Sequence, residues 1–231
     1  MKKPLIQRLG LLGVISLLSY TAAVVFSPLA YPGYRWTAQA VSDLFALNAP
    51  STPLWNQLSA LYGVCGMVSV MMACVYVGGR LNRLLRLGVY LFAAMYWVSS
   101  VGYAMFPLTE SGRVENLQNF LHVYVVTGLV VLLSVVSLLL IAVGGFRGRA
   151  YPALAGWAAA ALLLMLAGAV GTAVLPAEWF GIPERFSLFA AAGFNAALGI
   201  FLFRGFAGGS RAGAQSASQN REKEERQWKS R

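Results

Sequence analysis

Six long apolar runs, at residues 10–30, 54–79, 87–106, 120–143, 153–175 and 187–203, alternate with short polar segments. At about 1.5 Å per helical residue the longer runs cross a hydrocarbon layer of about 30 Å, and the shortest, 187–203, is bracketed by polar loops on both sides. The pattern predicts an all-α integral membrane protein, a six-transmembrane-helix bundle. Prolines close the first, third and fifth runs at Ser27-Pro28, Phe106-Pro107 and Leu175-Pro176. Small residues recur at helical spacing, as in Gly63 and Gly66, Ala167 and Gly171, Ala192 and Ala196, and Gly193 and Ala197, where they let helix backbones approach closely in lipid.

One interval between runs is both polar and patterned: YPGYRWTAQAVSDLFALNAPSTPLWN, residues 31–56. A helix from Arg35 to Phe45 puts Arg35, Gln39, Ser42 and Asp43 on one side and Ala38, Val41, Leu44 and Phe45 on the other. The spacing thus predicts a short amphipathic helix in the first outer loop. Pro32-Gly33 gives it a turn to start from, Asn48-Ala49-Pro50 ends it, and Thr52-Pro53 reads as the N-cap and first-turn proline of the next helix. Val41, Leu44 and Phe45 are expected to pack down on the bundle mouth. Tyr31, Tyr34, Trp36 and Trp55 are expected at the membrane–water interface, where amphipathic rings are favoured.

Composition agrees with the pattern. With 58% hydrophobic and 11% charged residues and a mean hydropathy of +0.64, the chain is too apolar for a soluble domain, in which about a quarter of residues are charged. Of the 18 Lys and Arg, 15 fall before the first run, in the loops after the second and fourth, or from Arg204 onward; only Arg35, Arg113 and Arg185 lie opposite. The positive-inside rule then places both termini in the cytoplasm, with the loops 31–53, 107–119 and 176–186 facing outward, in a bacterial cytoplasmic (inner) membrane. The net charge of +10 is spread over membrane-flanking segments without any nucleic-acid module, so the bilayer is the expected partner and nucleic acid is not. The N-terminal run is too long for a signal-peptide core and no A-x-A site precedes Tyr31, so it is read as a span. The segment 204–231, rich in Gly, Ser, Gln and charge, is expected to form a disordered basic cytoplasmic tail. Cys65 and Cys74 share the second run nine residues apart, on opposite sides of one helix, and cannot pair.

Candidate chemistry gathers at the outer side. All five acids outside the tail lie in outward loops, and no Asp, Glu, Lys or Arg sits deep in a run, which argues against an ion-coupled transporter or channel. Glu115, Gln118, Asn119 and His122 recur at i, i+3, i+4 and i+7, a polar stripe leading into the fourth run. His122 is the chain's one histidine, structural by default and a general base or phosphate contact if Asp43 or Glu184 comes within reach. One histidine does not suit a hydrolytic zinc site; a Ca²⁺ or Mg²⁺ site from Asp43, Glu110 and Glu184 is a weaker alternative, and neither a metal nor a cofactor is expected. A nucleophile system of Ser42, His122 and Asp43 is awkward, because neighbours about 100° apart on a helix do not easily orient one imidazole. The binding candidates are Arg35, Gln39, Ser42, Asp43, Asn119, His122, Glu184 and Arg185, and Asp43, His122 and Glu184 are the catalytic candidates. They fit a protein that binds a lipid head group or a membrane partner; the alternative is a hydrolase-like membrane enzyme acting on a lipid-like substrate at the outer leaflet. Plain ion pairing of Arg35, Arg185, Asp43 and Glu184 to close the bundle is the structural alternative to both.

The outer elements, YPGYRWTAQAVSDLFALNAPSTPLWN, then FPLTESGRVENLQNFLH, then GIPERF, resemble in their order those of an uncharacterised prokaryotic six-span membrane family, domain of unknown function 998. The resemblance runs from residue 10 to about 203. Its most specific parts are the Tyr31-Pro32-Gly33 turn with Ser42-Asp43-Leu44, the Phe106-Pro107 pair with His122, and Glu184-Arg185. It implies an architecture and these candidate positions, and no activity.

Overall fold

The computed structural model describes residues 3–110, 116–147 and 151–206. Among these residues, six helices are long and apolar enough to cross a membrane: Leu5–Ala30, Thr52–Val77, Arg83–Met105, Leu117–Phe146, Pro152–Val174 and Ala177–Phe203. The first comprises α1 (Leu5–Leu9) and α2 (Leu12–Phe26), and the second α3 (Thr52–Leu58) and α4 (Ala60–Val77). The third is α5 (Arg83–Met105), the fourth α6 (Leu117–Phe120) continuing through a π-helical turn (Leu121–Val126) into α7 (Thr127–Phe146). α8 (Pro152–Val174) and α9 (Gly181–Phe203) complete the bundle. The last helix starts before the apolar run that predicts it, because Pro183 falls in its first turn, where a missing N–H costs nothing. The predicted tail beyond 206 lies outside the described residues.

Each long helix packs on its sequence neighbours, and α9 closes the ring against α2 and α4. The two ends of the ring differ in side-chain size. At the end away from the 31–51 segment, Phe92, Leu138, Phe194, Leu198 and Leu202 are fully buried in one continuous core. Gly10 and Gly199 let α2's leading turn cross α9 closely: a Cβ on Gly199 would stand 2.9 Å from Ser69 Oγ as well as against Gly10 O. At the other end the helices carry Ser, Thr, Gly and Tyr, and residues 31–51 lie across them as a cap.

The cap is less helical than its pattern. Arg35–Gln39 form a turn, with Ala38 and Gln39 N–H groups bonded to Arg35 O, and only Ser42–Phe45 wind on, as one turn of 3₁₀ helix. The reason is tertiary: α9 side chains take the main-chain groups that a continuous helix would have paired internally. The apolar side still packs as expected, with Val41 and Leu44 fully buried and Phe45 against Trp55. Trp55, expected at the interface, is buried at 7% exposure beneath the cap, edge-on to Tyr20. Ser51 and Thr52 do not cap α3 with their side chains; their hydroxyls donate to Leu44 O (2.7 Å) and Ala46 O (2.6 Å) and tie the cap's return strand of chain in place.

The second span breaks at Ser59. Tyr62 N–H bonds to Ser59 O at 2.9 Å, which leaves Leu58 O without its i+4 partner, and Ser19 Oγ of α2 donates to it at 2.6 Å. Ser16 Oγ likewise donates to Tyr62 O at 2.6 Å.

Candidate functional site

Two neighbouring residues of α9 hold the cap. Arg185 Nη1 donates to Gln39 O (3.2 Å) and Gly181 O (2.7 Å), and its Nη2 donates to Tyr34 Oη (2.7 Å), which itself donates to Ala40 O (2.8 Å). Glu184 Oε2 accepts the Val41 N–H at 2.8 Å, and Gly181 N–H donates to Thr37 O at 2.7 Å. Burial pushes the Tyr34 phenol up to about 12 even with Arg185 opposing, so it stays a donor. Gly181 has to be glycine for this docking, since a Cβ there would stand 2.6 Å from Gln39 O and 2.7 Å from Arg185 Nη1. Arg185 and Glu184 approach each other only at 4.0 Å; their main partners are backbone groups of the cap. Arg35 is exposed and makes no ion pair among the described residues, its backbone N–H donating to Gln39 Oε1 at 2.7 Å. The ion-pair network proposed to close the bundle is thus a clamp from α9 onto the cap's main chain.

The polar stripe entering the fourth span is a second clamp. Gln118 Nε2 donates to Pro107 O (2.8 Å), Asn119 Oδ1 accepts from Thr109 N and Oγ1 (2.9 Å each), and His122 Nδ1 meets Phe106 O at 2.7 Å. These residues face one stretch, 106–109, where the chain leaves helix and its main-chain groups need partners. Glu115 lies outside the described residues. A carbonyl oxygen only accepts, so Nδ1 carries the His122 proton and Nε2 carries the lone pair. His122 sits in the π-helical turn, its carbonyl accepting from both Thr127 N–H and Thr127 Oγ1, while Tyr103 lies against its ring at 4.7 Å between centroids. Such turns insert one extra residue and often re-aim a side chain at a functional site.

Between the clamps lies a cavity of ≈950 Å³. Gln39, Ser42, Asp43, His122 and Glu184 line its cap end. Tyr62, Ser99, Ser100, Tyr103 and Thr127 line its middle, and Met95, Val130, Met165 and Ala191 its apolar depth. Met165 and Ala191 lie nine and ten residues in from the cap ends of α8 and α9, about 15 Å below the cap. Among the described residues lining it there is no Lys or Arg. Of the predicted site residues, Arg35, Asn119 and Arg185 therefore stand outside the cavity wall, the latter two as clamps. No hydrogen bond joins the His122 ring to Ser42 or Asp43, as a nucleophile system would need. Among the described residues no three His, Cys, Asp or Glu side chains come together to hold a metal ion, so Asp43, Glu110 and Glu184 form no carboxylate cage. Sequence reading missed Tyr34 as the clamp's hinge and the hydroxyl wall of α5. Tyr96, Ser99, Ser100 and Tyr103 at i, i+3, i+4 and i+7 within an apolar span carried that signal.

Neither a curated protein nor a solved structure matches the chain. The family model described as protein of unknown function (DUF998) matches residues 14–201, which run from the first span through the clamps to the last. With that match covering both the bundle and every cap contact, the chain belongs to the DUF998 family of membrane proteins.

Proposed function

We propose that this chain is an amphiphile-binding protein of the cytoplasmic membrane, with its cavity open toward the outer face and both termini in the cytoplasm. The observation that carries the reading is the cavity's gradient, from carboxylates and an imidazole beneath the cap to methionines and aliphatic side chains about 15 Å deeper. That is the polarity profile of a lipid with its head at the membrane surface and its chain toward the midplane. A volume of ≈950 Å³ lies at the upper end of ordinary ligand pockets, about 300–1,000 Å³. A protein partner fits less well, because the polar side chains converge inward rather than project from the cap.

A second reading has one specific support. His122 is fixed through Nδ1 with Nε2 as a base inside the cavity, the arrangement a general base requires, and an enzyme acting on a lipid-like substrate would use it with Glu184 or Asp43. The two readings separate in one experiment on purified protein. His122→Ala and Asp43→Asn are each incubated with lipid extract, and bound and chemically altered lipids are counted by mass spectrometry beside thermal stability. Unaltered lipid retained by the parent and lost by stable variants supports binding. Turnover by the parent and by neither variant supports the enzyme. Variants that only melt earlier leave the polar cluster with a structural role and overturn both.

A further inference from the structure

We infer that the cavity selects amphiphiles whose head group donates hydrogen bonds, a primary ammonium above all, and discriminates against anionic heads. The inference rests on the amphiphile reading and deepens it by assigning the head group's chemistry.

Three observations carry it. His122 is 3% exposed, its Nδ1 is committed to Phe106 O, and Nε2 has no hydrogen-bond partner among the described residues on a ring that lines the cavity. Nε2 in that tautomer only accepts. Glu184 spends Oε2 on the Val41 N–H and leaves Oε1, which has no hydrogen-bond partner among the described residues, on a side chain that lines the same cap end. The basic residue nearest by sequence, Arg185, is turned away into the cap's main chain, and no described Lys or Arg lines the wall. Gln39 and Ser42 serve in either sense; the imidazole Nε2 only accepts, and Oε1 of Glu184 is a second acceptor beside it. A phosphate or sulfate brought there meets lone pairs at Nε2 and Oε1, whereas an alkylammonium, charged at neutral pH like a lysine side chain, supplies N–H donors to both. A quaternary ammonium keeps the charge and has no N–H for Nε2.

The test uses the full chain in a neutral detergent and three probes with one tail: tetradecylamine, tetradecyltrimethylammonium and tetradecyl sulfate, with affinities read by native mass spectrometry. The amine is expected to bind at least about tenfold more tightly than the sulfate, which is 1.4 kcal/mol, with the trimethylammonium between them. His122→Phe should bring the amine down to the trimethylammonium, and Glu184→Gln should narrow the gap between amine and sulfate; either variant suffices if the other fails to fold. Equal binding of the three probes, or a preference for sulfate, overturns the head-group inference and leaves the amphiphile cavity standing. An amine preference that survives in both variants overturns the assignment to these side chains. Binding of none of the three overturns the amphiphile reading together with this one.

Discussion

Gly63 offers a way to close the cavity without disturbing the fold. It lies one turn into α4 and lines the cavity, and nothing stands within 4 Å of where a Cβ on it would be. Gly63→Trp therefore adds a ring to open space. Replacing an interior helical glycine removes a local cost of about 0.5–1 kcal/mol, so the substitution should leave stability unchanged or slightly higher. A ligand is affected in the opposite direction. If the indole denies it about 100 Å² of apolar contact, at about 25 cal/mol per Å² the loss is about 2.5 kcal/mol, roughly 70-fold in affinity. The assay is lipid retained per protein after purification, by mass spectrometry, with thermal midpoints compared in ligand-stripped samples because a bound ligand itself raises the midpoint. Gly63→Ala is the control and should keep the lipid. Retention at the parental level by Gly63→Trp refutes the cavity as the binding site, and a marked drop in midpoint for both variants refutes the geometry at Gly63.

Three further outcomes follow from the clamps and the topology. Arg185→Lys keeps the charge but cannot serve Gln39 O, Gly181 O and Tyr34 Oη together, so it should cost about 2–4 kcal/mol and make a cysteine placed at Val41 reactive to maleimide; parental melting and a shielded Cys at that position would contradict the clamp. Tyr34 is raised to about 12 from an ordinary 10, chiefly by burial, so the stability tied to its protonated form is complete below pH 10 and lost between pH 10 and 12; Tyr34→Phe should flatten the melting curve's pH dependence in that window alone. A periplasm-active reporter should be silent after Arg231 and active within 107–119, and the reverse result would turn the cavity to the cytoplasm.

What the sequence reveals follows from the length scale of each signal. A span is some twenty apolar residues, and no local preference competes with it, so six of them are legible from composition and pattern alone. The cap is shorter than the interactions that shape it. Arg35, Gln39, Ser42 and Asp43 do have helical spacing, yet the chain from Thr37 to Val41 gives its N–H and C=O groups to Gly181, Glu184 and Arg185, some 140 residues away. Nothing within the cap announces those partners. The stripe of Gln118, Asn119 and His122 was legible as a stripe, while its purpose, satisfying the unwound main chain at 106–109, depends on where α5 happens to end.

The cavity is hardest to read because it is made by what its walls lack. Along α5 the residues run from Leu85, Val89 and Phe92 in the packed end to Ser99, Ser100 and Tyr103 in the hollow one, and along α9 from Leu202 and Leu198 to Ser187 and Glu184. Each serine or glycine alone is an ordinary interhelical residue of a membrane protein. Set at the same depth on several helices, with the second span broken at Ser59 beside them, they leave a space that a bundle held by van der Waals packing would otherwise fill with side chains. The α9 clamp holds the cap over that space by hydrogen bonds to its main chain, and the second clamp holds the 106–109 stretch, whose Leu108 O accepts the cap's Leu47 N–H at 2.9 Å, so the bundle's end is fixed without close packing beneath it. Within that arrangement His122 has two distinct jobs on one ring: Nδ1 secures Phe106 O, and the same bond sets the tautomer that leaves Nε2 facing the cavity as an acceptor. A structural histidine and a binding histidine are therefore not alternatives here, since the structural bond is what gives the other nitrogen its sense.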